Sequence, residues 1–371
     1  MTDIWINDQV RSMTSFGEIV AAAKDLIDAS EALIRACQEL VGYLDEVEHA
    51  AVIQREIAAV ALELKDLVRA LDVIFVNPTD AYVCSAYLNK RPDKGRGMKN
   101  DVIRASLYNV GAMLDETLFA RTRSVVFTSA TLTVNGSFEP FEHALGLNSS
   151  EQSRANTLTL ESSYDFDRNM RVLVVNDMAE PNSPKYLEQL KELLVDVHRA
   201  NNGSLLTLFT NKKEMEACFA EVSPRLKEDE LRLVCQRWGV SVKNLRDDFL
   251  TDETLSLFAL KSFWEGFDAP GKTLKGVIIP KLPFIKPTDP LSCERAARDD
   301  AAWRHFVLPQ AVLEVRQAAG RLIRRADDSG VLIVADSRLV SKSYGKVFLR
   351  SLPSKNVRFV STEELLDELR G

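Results

Sequence analysis

The segment Gln317-Ala318-Ala319-Gly320-Arg321-Leu322-Ile323-Arg324, followed by the apolar run Gly330-Val331-Leu332-Ile333-Val334-Ala335, reads as a helix feeding a buried strand. On a helix, positions 317, 320, 321 and 324 fall at i, i+3, i+4 and i+7 and share one face, whereas Ala318, Leu322 and Ile323 point elsewhere. A glutamine, a glycine and two guanidiniums are thereby expected on one side. Glycine within a helix costs about 1 kcal/mol against alanine, which predicts close approach of a backbone or ligand at Gly320. Two arginines three residues apart offer planar, permanently charged, bidentate donors suited to a phosphate chain. A solvated basic helix face would use the same residues, so the surrounding chain has to decide.

Working outward, strand-like runs occur at 172–175, 205–209, 231–235, 255–260, 274–279 and 331–334. Helical patterns lie between several of them, at 184–199, 212–220, 242–250 and 310–324, which predicts an α/β domain around a mostly parallel sheet. Farther upstream, Arg123-Ser124-Val125-Val126-Phe127-Thr128-Ser129-Ala130-Thr131-Leu132 reads as a buried parallel strand over 124–128 whose small hydroxyl residues open onto a site. A strand followed by a Ser/Thr turn is the plainer alternative.

Residues 15–71 contain no proline and carry apolar residues at helical spacing, among them Leu26, Ile34, Leu40, Ile57, Leu64 and Leu71. Two long amphipathic helices with a turn near 48–51 are predicted, an antiparallel arm that braces a neighbour or binds a partner. The connector over 77–104 is broken by Pro78, Pro92, Gly95 and Gly97 around a strand at 81–87. Within it, Lys90, Arg91, Lys94, Arg96, Lys99 and Arg104 stand against Asp93 and Asp101, a local net charge of +4. This is the best electrostatic candidate for a phosphate backbone, with a charged linker as the alternative.

With 46% apolar and 27% charged residues over 371 positions, the chain can bury more than one core. It has no signal-peptide pattern and no apolar run long enough to span a bilayer, and is read as cytoplasmic, with no membrane partner. Five scattered cysteines, 37, 84, 218, 235 and 293, indicate neither a disulfide framework nor a metal site. The net charge of −7 leaves any nucleic-acid contact to a local patch.

Gly266-Phe267-Asp268-Ala269-Pro270-Gly271-Lys272-Thr273 satisfies the P-loop expression. A working P-loop must run from a strand into a helix whose N-terminus receives phosphates. Here Leu274-Lys275-Gly276-Val277-Ile278-Ile279-Pro280 follows, which reads as a strand ended by proline, and bulky Phe263 and Trp264 precede the loop. A self-contained NTPase using Lys272 requires a helix where a strand is expected.

Together these segments resemble the C-terminal half of DinG-type DNA helicases, relatives of XPD in helicase superfamily two. The resemblance covers most of residues 105–355. Phe127-Thr128-Ser129-Ala130-Thr131-Leu132 is similar to motif III, with Phe138 and Ala144-Leu145-Gly146-Leu147 behind it. Leu208-Phe209-Thr210-Asn211 resembles motif IV. Ser262-Phe263-Trp264-Glu265-Gly266-Phe267-Asp268-Ala269-Pro270-Gly271, then Lys281-Leu282-Pro283-Phe284, resembles motif V. The octet 317–324 resembles motif VI, followed by Asp336-Ser337-Arg338 and Tyr344-Gly345.

The resemblance implies a RecA-like parallel-sheet motor lobe with an N-terminal, arch-like arm of long helices. Residues 1–105 would be that arm and its connector, 106–150 the last piece of a first lobe, and 151–371 the second lobe. ATP with magnesium would sit between the lobes. Arg321 and Arg324 would face the γ-phosphate, Gln317 would position them or the nucleotide, and Glu265, Gly266, Asp268 and Gly320 would line the nucleotide. Thr128, Ser129, Ala130 and Thr131 would couple nucleotide state to the track, and Thr210 and Asn211 would meet the backbone of single-stranded DNA. No Walker A or Walker B segment precedes Thr128, so an inactive part of a longer helicase is expected, whose missing N-terminal motor lobe is a required partner. An iron–sulfur cluster is expected only in that missing part. A first-lobe strand cut from its sheet would leave apolar surface exposed and promote self-association. The competing reading is a non-catalytic interaction module.

Overall fold

The computed structural model describes residues 2–88, 101–147, 155–237, 240–260, 263 and 273–370. They fold into two compact units: Met1–Arg123 with Ala144–Gly146 and Ile285–Trp303, and Ser124–His143 with Leu147–Phe284 and Arg304–Gly371.

The first unit is dominated by two helices, Thr14–Leu44 and Ala51–Leu71, about 46 and 32 Å long at 1.5 Å per residue. The turn between them places His49 at a φ of 67°. Their inward seam packs with Ile6, Ile74, Phe75 and Cys84 into a small core in which Phe16 lies against Phe75, ring centroids 5.9 Å apart. Beside it is a three-stranded antiparallel sheet ordered β1 (Thr2–Trp5), β2 (Tyr82–Leu88) and β3 (Val102–Leu107). The strand expected at 81–87 is thus present, but as the centre of a sheet the sequence did not announce. Both flanking strands are short, and their pairing lies far along the chain. The Pro290–Arg298 helix belongs to this unit: Asp289 caps it, and Glu294 accepts the Trp5 indole N–H at 2.8 Å.

The second unit is an α/β fold around seven parallel strands in the order β10-β4-β9-β8-β5-β7-β6. These are β4 (Met170–Val175), β5 (Leu205–Leu208), β6 (Leu233–Cys235), β7 (Ser256–Ala259), β8 (Gly276–Ile279), β9 (Gly330–Val334) and β10 (Val357–Val360). All six strands expected here from the sequence are present; β10, an edge strand with Phe359 half exposed, is the addition. Helices Tyr186–Asn201, Lys212–Glu228 and Thr362–Arg370 pack through Leu190, Leu194, Met215 and Leu365 onto one face of the sheet. Val242–Thr251, Leu308–Ala319 and Gly345–Ser351 cover the other through Phe249, Val312, Val315 and Phe348. With both faces covered, the central strands can be apolar along their whole length, as Val172 to Val175 are.

Two expectations are corrected. Residues 124–129 form no strand, and Val126 is 83% exposed. A β-branched run becomes a buried strand only where neighbours pair and cover it, and among the described residues the sheet ends at β10 and β6 without it. The helix expected over 310–324 stops at Ala319, so positions 317, 320, 321 and 324 do not share one helical face. Gly320 is its C-cap with an ordinary φ of −62°, and an added Cβ would meet nothing closer than 3.5 Å. Close backbone approach is found instead at Gly345, where a Cβ would collide with the carbonyl of Leu339.

Candidate functional site

In the second unit, the polar residues singled out by sequence gather at opposite edges of the parallel sheet. Gln317, Gly320, Arg321 and Arg324 lie where the chain turns from the Leu308–Ala319 helix into β9, at the edge where strands begin. Thr210 and Asn211 follow β5, at the edge where strands end.

The arginine turn is built by a residue that sequence reasoning missed. The buried Asp328 carboxylate accepts the backbone N–H groups of Arg324 and Arg325, both at 2.8 Å, so one acid closes the turn. Tyr164 donates its hydroxyl to the Arg324 carbonyl at 2.8 Å, and Asn169 donates its side-chain amide to the Ala326 carbonyl at 3.0 Å. These bonds fix the backbone, leaving Arg324 exposed while Arg321 is only 3% exposed. The two guanidiniums therefore have different settings, a contrast hidden by their identical chemistry.

Next to this turn lies the loop after residue 128. Gln317 reaches Thr131 Oγ1 at 3.4 Å, and the Ser129 hydroxyl accepts the Thr131 N–H at 3.2 Å. Arg316, also missed by sequence, donates through Nη1 to the carbonyl and hydroxyl of Thr133 at 2.9 and 3.0 Å. Burial pushes the Arg316 pKa down from its usual value. Thr128, Ser129 and Ala130 themselves are exposed.

At the opposite edge, Asn211 caps the Lys212–Glu228 helix, its side-chain oxygen accepting the Lys213 N–H at 2.9 Å, while Thr210 is exposed beside it. Asn211 thus has a structural task whether or not it meets a ligand. Nearby, the fully buried Asp336 carboxylate accepts the Leu282 N–H at 2.8 Å and pairs with Arg338 at 2.6 Å, tying the end of β9 to the segment after β8. Burial works against the Arg338 charge, but the hydrogen bonds and charge of Asp336 outweigh it and raise the Arg338 pKa. Both ends of this tie, Asp336-Ser337-Arg338 and Lys281-Leu282-Pro283-Phe284, were among the stretches quoted from the sequence, but nothing there paired them.

Glu265, Gly266, Asp268 and Lys272, together with most of the basic run 90–104, lie outside the described residues. After Thr273 the chain enters β8 at Gly276, a strand where a P-loop would need a helix. Among the described residues no group of three or more His, Cys, Asp or Glu is placed to hold a metal ion, and the five cysteines are free. No described helix is long and apolar enough to cross a membrane.

Residues 194–355 match the family model described as helicase C-terminal domain. The chain is 33% identical over 279 residues to the protein named 3'-5' exonuclease DinG of Bacillus subtilis, covering 73% of this chain and 30% of that one. To the ATP-dependent DNA helicase YoaA of Escherichia coli it is 36% identical over 251 residues, 66% of this chain and 38% of that one. To the ATP-dependent DNA helicase DinG of Photobacterium profundum it is 30% identical over 274 residues, 72% and 39% of the two chains. The chain spans about a third of the length of these curated relatives. The solved structure named XPD_Helicase superposes with a TM-score of 0.57 at 15% identity, over 85% of this chain and 55% of that one. XPD_APO gives 0.54 at 16% identity, over 87% and 62%.

Proposed function

The chain belongs to the DinG-type, XPD-like helicases, whose C-terminal domain it carries, and from this premise we propose that it is the second-lobe portion of an ATP-dependent DNA helicase. Residues 151–371 are the second RecA-like lobe, 106–150 the last piece of the first, and 1–105 the arm with its connector. ATP binds where this lobe meets a first lobe that supplies the Walker residues, so the chain by itself turns nothing over.

The observation that carries this reading is the turn fixed by Asp328, Tyr164 and Asn169. Its hydrogen-bonded backbone carries the exposed Arg324, seven residues beyond Gln317, which meets Thr131. A preorganised cation can stabilise charge developing on a transferring phosphoryl group without reorganising at the moment of reaction. Arg324 is the exposed member of the pair and Arg321 its buried companion. Gln317 and Thr131 link that turn to the loop 128–131, so a change in nucleotide contact moves the loop. Thr210 and Asn211, at the opposite sheet edge, face the backbone of single-stranded DNA. Glu265, Gly266, Asp268 and Gly320 line the nucleotide.

The test joins the chain to the N-terminal portion of a DinG relative and measures DNA-stimulated ATP hydrolysis. Arg324→Ala is expected to lower kcat by about 10³-fold, the usual worth of such an arginine. Unchanged turnover in Arg324→Ala would sink the assignment. We further infer that the exposed apolar run 125–127 is covered by the first lobe, and without it mediates self-association. Light scattering of the chain alone should show dimers or larger species that Val126→Asp disperses; a monomer throughout would contradict this.

A further inference from the structure

The arm carries two apolar seams where a braced hairpin needs one. On the Thr14–Leu44 helix, Phe16, Ala23, Ser30 and Ile34 are buried, a heptad-spaced seam facing the second helix. Three residues beyond members of that seam runs a second one: Ile19, Leu26, Leu33 and Leu40, spaced by sevens and 46 to 50% exposed. Ala22, Ala29, Ala36 and Tyr43 complete it at the alternate heptad position, all exposed. On the Ala51–Leu71 helix, Ile57, Leu64 and Leu71 are half-buried, and four residues before each stand Ile53, Val60 and Leu67, 40 to 54% exposed. In a seven-residue repeat a step of +3 and a step of −4 are the same rotation. Because the helices run antiparallel, both outer seams fall on one side of the hairpin. The arm thus has a continuous apolar face with the period of a coiled coil and no cover among the described residues.

Its flanks carry one sign of charge. Glu18, Asp25 and Glu39 border the seam of the first helix, and Glu56 and Glu63 that of the second, all exposed. Residues 14–71 hold eleven Asp and Glu against five Lys and Arg, a net −6 of the chain's −7. A second copy of this hairpin would set acid against acid across the seam, and a nucleic-acid backbone would be repelled. We propose that this face is the docking site of a protein partner presenting an amphipathic helix with a Leu- or Ala-rich heptad seam and Lys or Arg flanks. The seam supplies the buried area and the flanks select the partner.

The test uses two labelled four-heptad peptides with identical Leu/Ala seams, one flanked by Lys and one by Glu, titrated with the purified chain by fluorescence anisotropy. The Lys-flanked peptide is expected to bind at least ten-fold tighter than the Glu-flanked one. Leu26→Glu combined with Leu33→Glu should abolish that binding with an unchanged melting temperature, since both residues are half exposed. Glu56→Lys combined with Glu63→Lys, which leaves the seam intact, should shrink or invert the preference. Equal binding of the two peptides, no binding of either, or binding indifferent to both variants overturns the proposal. A dimer dispersed by the Leu26/Leu33 variant but not by Val126→Asp would assign the face to a second copy, and single-stranded DNA binding lost in that variant would assign it to nucleic acid; each would overturn it too.

Discussion

The sheet of the second unit and the arm of the first are both rich in aliphatic residues at regular spacing, yet they treat them in opposite ways. Leu206, Leu257, Leu332 and Val334 are wholly buried between two layers of helix, whereas Leu26, Leu33, Leu40 and Val60 stand about half exposed along the hairpin. Periodicity in a sequence states which residues share a face, but says nothing of what covers that face. A doubly covered sheet closes its own core; a two-helix hairpin can bury only one seam of each helix.

The sharpest way to break the comparison is to remove a buried charge from the sheet side. Asp336→Ala leaves Arg338 and the Leu282 N–H without their acceptor, and a loss of about 3 to 5 kcal/mol in denaturant unfolding is expected. Leu332→Ala, at a fully buried site, should cost about 2 to 5 kcal/mol. The buried His198 sharpens the contrast through pH. Burial lowers its pKa from 6.5 to about 4, against a backbone hydrogen bond from its ring to Leu194 that pulls the other way. The folded state thus holds His198 neutral while the unfolded chain protonates below pH 6.5, so stability is lost as pH falls from about 6.5 to about 4. The loss amounts to about 3 kcal/mol, and His198→Phe should flatten that part of the stability profile. Asn211→Ala should cost about 1 kcal/mol through the lost helix cap. On the arm, Leu33→Ala should stay within about 0.5 kcal/mol, because little apolar area is uncovered. A large loss there would mean the outer seam is already covered.

How much could be read in advance follows the same division. The five central strands were legible because a strand covered on both faces can be apolar throughout; at the edges, β6 still shows the short apolar run Leu233-Val234-Cys235, whereas β10, with Arg358 and Phe359, carries none. Both arm helices were legible from spacing, but not that each has an outer seam, since two adjacent apolar stripes blur into one amphipathic pattern. At the site, Gln317 and Thr131 were each singled out by a motif, but their contact across 186 positions was not legible. The end of the helix at Ala319 had a cue in its C-cap Gly320, which was read instead as a glycine inside the helix; the shape of the turn beyond it was not legible, because Asp328 and Tyr164 bond residues 324 and 325 only in the folded chain. Arg316 carried no signal either: its partner Thr133 lies 183 positions away.

The most direct test of the central claim, that this chain is half of a two-lobe motor, is ATP hydrolysis by the purified chain with and without single-stranded DNA, beside Lys272→Ala. The account predicts no turnover above background for either protein in either condition. Turnover by the unaltered chain that disappears in Lys272→Ala would contradict it, and would make the Gly266-to-Thr273 segment a working phosphate loop.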